Sequence, residues 1–123
     1  MPVDETQAAQ FDIAQHLDGS TLVLTVSGDL DMRTAPALDA AISEGALTAP
    51  HALVVDLSKV TFVASAAMTV LTIAQNKLGE TLQFAVVADG PATSRPIRLM
   101  GLDQVFSLYE DLPTALAAID STN

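Results

Sequence analysis

Three short segments hold the side chains with which this chain could do chemistry. Asp29 to Arg33 contains two carboxylates, Val63 to Met68 contains a serine, and Asp89 to Ser94 contains a carboxylate and two hydroxyls. The first and third segments follow predicted β-strands, and the second precedes a predicted helix. In an open parallel sheet the carboxyl ends of the strands meet at one edge, where the following helices begin with free N–H groups. We therefore expect the three segments to form one surface.

Ser65 stands where a predicted helix begins, and two interpretations of it are open. Serine often caps a helix, because its hydroxyl accepts a hydrogen bond from a free N–H group, and the local sequence by itself favours this role. A phosphate on the same hydroxyl would face the positive end of the helix, so the chain would tolerate the modification without unfolding. Ser65 is thus either a structural cap or a phosphorylation site.

The elements that position these segments are predicted from the apolar pattern. Residues 11–17 and 21–28 alternate apolar and polar side chains on either side of a turn signal, which predicts a hairpin. Three more strands are expected at 52–57, 82–88 and 105–108. Four helices are predicted. The first begins near Thr34, and the second runs from Ala66 to Leu78 with Gly79 as a left-handed cap. The third follows Ser94 and ends at Gly101, and the fourth follows an Asp111 N-cap.

The order of the elements, β-β-α-β-α-β-α-β-α, predicts an α/β fold. Parallel strands are joined by right-handed crossovers, and the first strand is antiparallel at one edge. The strand at 21–28 has apolar residues on one face and mostly hydroxyl-bearing residues on the other. We therefore expect helices on one side of the sheet only.

Length and composition narrow the class of protein. The 123 residues, half of them hydrophobic, suit a single domain spanning 1–123, with an ordered part at about 10–120 and short flexible ends. A formal net charge of -10 argues against nucleic acid and anionic membranes as partners.

Compartment and cofactor content follow from what the sequence lacks. There is no cysteine, signal peptide or long apolar run, so we expect a cytoplasmic protein. With two scattered histidines and no phosphate-binding glycine loop, no metal or organic cofactor is expected.

Three motifs resemble the STAS domain family, in its anti-sigma factor antagonist branch. DLSKVTFVASAAM at 56–68 resembles the signature D-L-S-x-V-x-F-x-D-S-S-G-L, with A-S-A-A-M in place of D-S-S-G-L. VSGDLDMRTAPALDAAI resembles the family's G-[ED]-L-D segment and first helix, and PIRLMGLDQVFSLYEDLPTALAAI its C-terminal L-x-x-x-G-L-x-x-x-F ending and last helix. The resemblance covers about residues 11–120. It implies an open mixed sheet with an antiparallel first edge strand, then sequential parallel strands with helices wound to one side.

The resemblance also implies a protein-binding switch rather than an enzyme. In this family the unmodified antagonist binds an anti-sigma factor, commonly a serine kinase, and so frees a sigma factor. Phosphorylation of one serine abolishes that binding, and a phosphatase would restore it. Ser65 falls at the position of that serine. The resemblance together with the expected edge gives the predicted partner-binding residues, which are Asp29, Asp31, Ala64, Ala66, Ala67 and Met68, with Thr93 and Ser94 added from the third segment.

Part of this set is expected to share one exposed face, namely Asp29, Asp31, Ser65 and Met68. Each also has a plainer interpretation. The two aspartates are equally explained as capping carboxylates of a solvated turn, and Met68 as a core residue.

Other functions remain open. A STAS domain that scaffolds a complex or senses a ligand would need no phosphorylation of Ser65. An Mg²⁺-dependent phosphoreceiver is a more distant alternative, because Asp29, Asp31 and Asp56 lie near predicted strand ends, but residues 105–113 lack the lysine that such a site needs. A serine hydrolase is disfavoured, since residues 63–67 do not fit G-x-S-x-G.

Overall fold

The computed structural model describes residues 10–121 of the chain. Most of the ends that we expected to be disordered, 1–9 and 122–123, lie outside the described residues. Ser121, which we had included in the flexible end, is the last residue of the last helix.

Strands and helices alternate in the predicted order. The strands are β1 (Asp12–Asp18), β2 (Thr21–Leu30), β3 (Ala52–Val63), β4 (Gln83–Val87) and β5 (Ser107–Tyr109). The helices are α1 (Ala35–Ala46), α2 (Ser65–Leu78), α3 (Ser94–Leu99) and α4 (Leu112–Ser121), with a 3-10 turn at Leu102–Gln104. Within the described range, no helix has both the length and the apolar character needed to cross a membrane.

The strands form one sheet in the order β1-β2-β3-β4-β5. β1 pairs antiparallel with β2, and the remaining neighbours pair in parallel. This confirms the predicted fold class, with an antiparallel edge strand followed by sequential parallel strands.

β3 is longer than predicted, because it continues past residue 57 to Val63. Its register against β2 shifts twice, between Thr25 and Ser27 and between Gly28 and Asp29. Such bulges add residues to one strand and break the two-residue alternation on which the sequence prediction depended. At the first bulge the carboxylate of Asp56 accepts a hydrogen bond of 3.0 Å from the Ser58 N–H group.

The sheet is covered on both faces, and the prediction of helices on one side is wrong for α4. The larger core packs α1, α2 and Ile97 of α3 against one face. On the other face Ala115 and Ile119 of α4 pack against Val23, Val54 and neighbouring small apolar residues. The reason is visible in β3 and β4, whose runs ALVV and FAVV are apolar on both faces, as is typical of strands buried on both sides.

Most of the predicted helix ends are confirmed. The N-cap of α1 is Thr34, and Gly101 adopts a left-handed φ of 76° after α3. Asp111 caps α4 by accepting a 2.8 Å hydrogen bond from the Thr114 N–H group, and its hydrogen bonds with Thr114 lower the pKa of Asp111. Gly79 is the exception: its φ of -62° is right-handed, and its N–H group closes α2 with a bond of 2.9 Å to Gln75.

Replacement of Gly28 by alanine tests the packing around the second bulge. Gly28 has a φ of 89°, and an added Cβ would lie 2.7 Å from the Gln10 carbonyl oxygen and 2.8 Å from the Phe11 Cα. We expect Gly28→Ala to lower the free energy of unfolding by about 3 kcal/mol, through backbone strain together with the clash. Urea denaturation at equilibrium measures the loss.

Gly19→Ala is the matched control, because Gly19 is also left-handed, with a φ of 64°, but has open space around the new Cβ. Only the conformational cost of about 1 kcal/mol is expected there. Equal losses in the two variants would show that the close approach of residues 10 and 11 contributes nothing.

Candidate functional site

The carboxyl ends of β2 and β3 are neighbours, and they bring two of the predicted segments together. In the parallel register Asp29 pairs with Phe62 and Leu30 with Val63. Immediately beyond, the Ala64 N–H group donates a 2.8 Å hydrogen bond to the Leu30 carbonyl. The start of α2 is thereby tied to the acidic loop that follows β2.

Ser65 is the first residue of α2, and its side chain is exposed. The N-cap is Ala64, whose extended backbone (φ -91°, ψ 166°) provides no side-chain cap. Within residues 10–121 no hydrogen bond of the Ser65 hydroxyl is found, although its carbonyl accepts one of 3.0 Å from the Thr69 hydroxyl. The interpretation of Ser65 as a helix cap is therefore wrong, because α2 begins at Ser65 itself, one residue earlier than a Ser65 cap would require.

The N-terminus of α2 is electrostatically unbalanced. Its first turn has no acidic residue and no side-chain cap. The first N–H groups of a helix have no partner within it and carry a partial positive charge. A negative group on Ser65 would therefore be attracted to this end of α2.

The two aspartates of the loop after β2 are held in place by local hydrogen bonds. Asp29 Oδ1 accepts a 2.6 Å bond from the Thr61 hydroxyl of β3, and the Asp29 carbonyl accepts one of 2.7 Å from the Thr34 hydroxyl. Asp31 Oδ1 accepts bonds of 2.9 Å from the Arg33 N–H group and 3.1 Å from the Thr34 N–H group. Both side chains are half-buried, and the Asp31 carboxylate closes the turn that precedes α1, whose N-cap is Thr34.

Asp31 is ionised at neutral pH. Desolvation is the largest single influence on it and raises its pKa, but the hydrogen bonds from Arg33 and Thr34 together with the charge of Arg33 outweigh that effect. The pKa of Asp31 is consequently below the ordinary value for aspartate. Its Oδ2 also forms an ion pair of 3.3 Å with Arg33.

Four residues of the predicted partner-binding set are interior. Ala67 and Met68 point into the main core, because they lie on the face of α2 that continues to Leu71. Thr93 and Ser94 are also buried, and the Ser94 hydroxyl bonds to the Gly90 backbone at 2.9 Å and 3.1 Å.

Direct partner contact by these four side chains is therefore a wrong prediction, including the exposure expected of Met68. The remaining members of the set, Asp29, Asp31, Ala64 and Ala66, are partly exposed. Together with Ser65 they stay candidates for partner contact.

Sequence reasoning missed the exposed apolar residues of this edge. Phe62 is 51% exposed, Leu99 74% and Met32 77%. Phe62 was assigned to a loop, since the bulges in β3 hide its strand. Met32 offered a weak signal, because it is a large apolar side chain between two charged residues and outside any apolar period.

The acidic residues do not assemble a metal pocket. Across residues 10–121, no group of three or more His, Cys, Asp or Glu side chains is placed to hold a metal ion. Asp56, one of the three carboxylates of the phosphoreceiver alternative, is buried and accepts a hydrogen bond from the Ser58 N–H group.

Comparison with known proteins gives consistent matches over most of the chain. A family model described as "Mlab, STAS domain" matches residues 13–112. The anti-sigma-F factor antagonist RsfB of Mycobacterium tuberculosis (strain CDC 1551 / Oshkosh) is 42% identical over 107 residues, which are 87% of this chain and 86% of RsfB.

Solved structures agree with the sequence matches. An anti-sigma factor antagonist from Mycobacterium paratuberculosis superposes with a TM-score of 0.86 at 44% identity, over 90% of this chain and 95% of that chain. A Thermotoga maritima structure has a TM-score of 0.80 at 15% identity, over 88% and 94% of the two chains, and so shows a shared fold. The family match, these relatives and the sheet order lead to one conclusion: the chain belongs to the STAS domain family, in its anti-sigma factor antagonist branch.

Proposed function

We propose that this protein is an anti-sigma factor antagonist, which binds an anti-sigma factor and so frees the sigma factor that the latter holds. Two relatives with that description, at 42% and 44% identity over most of both chains, support the proposal. The binding surface would be the carboxyl edge of the sheet, where Asp29, Asp31 and Ser65 follow neighbouring strands. The protein would act by binding another protein rather than by catalysis.

We infer further that the anti-sigma factor is a serine kinase that phosphorylates Ser65. The observation that carries this inference is the state of the Ser65 side chain, which is exposed at the uncapped start of α2. An exposed hydroxyl is accessible to a kinase, and its modification breaks no structural hydrogen bond. A phosphatase acting on the same group would reverse the switch.

Phosphorylation would change the electrostatics of this edge more than its shape. A phosphoserine carries about -1.5 to -2 charges at pH 7, and N–H groups at the start of a helix are suitable donors to it. The added charge would stand beside the ionised Asp31, in a chain that already has a net charge of -10. A partner surface that fits the unmodified edge would meet repulsion and a cost of desolvation.

The A-S-A-A-M segment is compatible with this role. Ala67 stands where the family motif has glycine, but its side chain is buried, so the extra methyl group packs in the core and not against a partner. Ala64 stands where the motif has aspartate, which leaves the start of α2 without a carboxylate. A phosphate on Ser65 would therefore place a negative group in a first turn of α2 that has no carboxylate of its own.

Ser65→Glu is expected to weaken binding to the cognate anti-sigma factor, whereas Ser65→Ala preserves binding and abolishes labelling by the kinase. Glutamate supplies one negative charge and lacks phosphate geometry, so a loss of about tenfold to a few hundredfold in affinity is the expected scale. Isothermal titration calorimetry at one salt concentration measures the affinity. Mass spectrometry after incubation with ATP and the anti-sigma factor measures labelling.

Ser43→Glu is the matched control. Ser43 is exposed near the end of α1, so the substitution adds the same charge far from the carboxyl edge. It should bind as the wild type does. Equal affinities for the wild type, Ser65→Glu and Ser65→Ala would contradict the switch, and a comparable loss in Ser43→Glu would reduce it to an effect of net charge.

Ser65→Ala is also expected to leave the free energy of unfolding unchanged, since Ala64 is the N-cap and the hydroxyl caps nothing. Ser65→Glu should raise it by about 0.3–1 kcal/mol, because the carboxylate interacts favourably with the helix N-terminus. Urea denaturation tests both. A loss of about 1 kcal/mol or more in Ser65→Ala would restore the capping role.

A further inference from the structure

The binding edge continues beyond Ser65 into an apolar cleft. The cleft has a volume of about 250 Å³ and lies between the end of β3 and α3. Phe62 and Val63 line one side, and Ala92, Pro96 and Leu99 line the other, with Arg95 as the charged member of the lining. A cleft smaller than the roughly 300–1,000 Å³ of small-molecule pockets suits a single inserted side chain better than an organic ligand.

The rim of the cleft exposes large apolar side chains. Phe62 is 51% exposed, although Val60 and Val63 of the same strand are buried. Leu99, the last residue of α3, is 74% exposed. Contiguous exposed apolar surface rimmed by polar groups is typical of protein-binding sites.

Arg95 gives the cleft a preference for negative charge. Arg33 is paired with Asp31 and Arg98 with Asp103, whereas Arg95 has no carboxylate within 4 Å in the part of the chain that the structure describes. An unpaired guanidinium beside an apolar surface is well suited to a carboxylate from a partner.

The cleft is continuous with the surface around Ser65. Val63 forms part of its wall and pairs with Leu30, whose carbonyl holds the Ala64 N–H group at the start of α2. A partner seated on Ser65 therefore lies next to the cleft.

We propose that this cleft is a second contact for the anti-sigma factor: a segment of that protein inserts one large apolar side chain beside Phe62 and Leu99 and presents a carboxylate to Arg95. The inference rests on the proposed function, because it assigns the cleft to the same partner. It adds a contact whose charge, positive at Arg95, is opposite to that of the acidic loop. Such a contact fixes the orientation of the partner on the edge and holds it where Ser65 can be phosphorylated.

Leu99→Ser and Arg95→Gln test the two parts of this contact by calorimetric titration with the cognate anti-sigma factor. Leu99→Ser is expected to lower the affinity about tenfold at both low and high salt, because it removes apolar contact area. Arg95→Gln is expected to lower it about three- to tenfold at low salt, with a smaller effect at high salt, where exposed charges are screened.

Two controls match these substitutions in chemistry but not in place. Leu47→Ser changes a leucine that is 85% exposed after the end of α1, and Lys77→Gln removes an exposed charge in the last turn of α2. Both should bind as the wild type does, and thermal melts of all four variants should match that of the wild type. If Leu99→Ser lowers the melting temperature, its loss of affinity could come from unfolding. The affinity of Arg95→Gln then decides whether the cleft contacts the anti-sigma factor.

The outcomes separate the cleft from the switch. Wild-type affinity in both cleft variants, alongside weakened binding of Ser65→Glu, would overturn the cleft contact and leave the switch intact. A loss in Leu99→Ser with none in Arg95→Gln would overturn the carboxylate part. Failure of the unmodified wild type to bind the anti-sigma factor would overturn both proposals.

Discussion

The parallel pairing of β2 with β3 is the constraint on which the proposed binding edge depends. From the pair Thr25 and Asp56 to the pair Leu30 and Val63, β3 uses two more residues than β2, and two register shifts absorb the difference. The two strands therefore end together, and the 2.8 Å bond from the Ala64 N–H group to the Leu30 carbonyl joins the elements that follow them. Because of that bond, the acidic loop and the start of α2 form one surface rather than two separate loop ends.

The charges of this edge fit the proposed phosphorylation of Ser65. Hydrogen bonds and an ion pair hold the Asp31 carboxylate in its ionised form at one side, while the start of α2 offers uncapped N–H groups at the other. A phosphate on Ser65 would be accepted by the helix and would at the same time extend the negative surface of the loop. Stability and partner binding would thus respond in opposite directions to the same group, and the proposed switch would operate in a fully folded protein.

Much of the fold could be predicted from the sequence, because alternation, caps and turn glycines are local signals. The hairpin, the order of the elements, the Asp111 cap and the left-handed Gly101 are of this kind. The bulges of β3 could not be predicted, since they depend on the register against β2. Because the bulges were missed, the exposed position of Phe62 in this strand was missed as well. The apolar runs of β3 and β4 indicated that a helix covers the second face of the sheet. The prediction of helices on one side was made from β2 instead, and one face of that strand carries mostly hydroxyl-bearing residues. Ala67 and Met68 were misplaced because a motif gives the order of residues and not the direction in which a helix turns them, and both lie on the buried face of α2. Thr93 and Ser94 were misplaced because the position of a loop does not show which of its side chains turn inward, as Ser94 does to bond the Gly90 backbone.

The central claim is that the charge state of Ser65 decides whether the anti-sigma factor binds. The most direct test is a calorimetric titration of the cognate anti-sigma factor with two preparations of the wild-type chain, one unmodified and one phosphorylated at Ser65 to completion as verified by mass spectrometry, at the same salt concentration. The unmodified protein is expected to bind at least about tenfold more tightly than the phosphorylated one, a difference of about 1.4 kcal/mol or more in binding free energy. Equal affinities of the two preparations would contradict the switch.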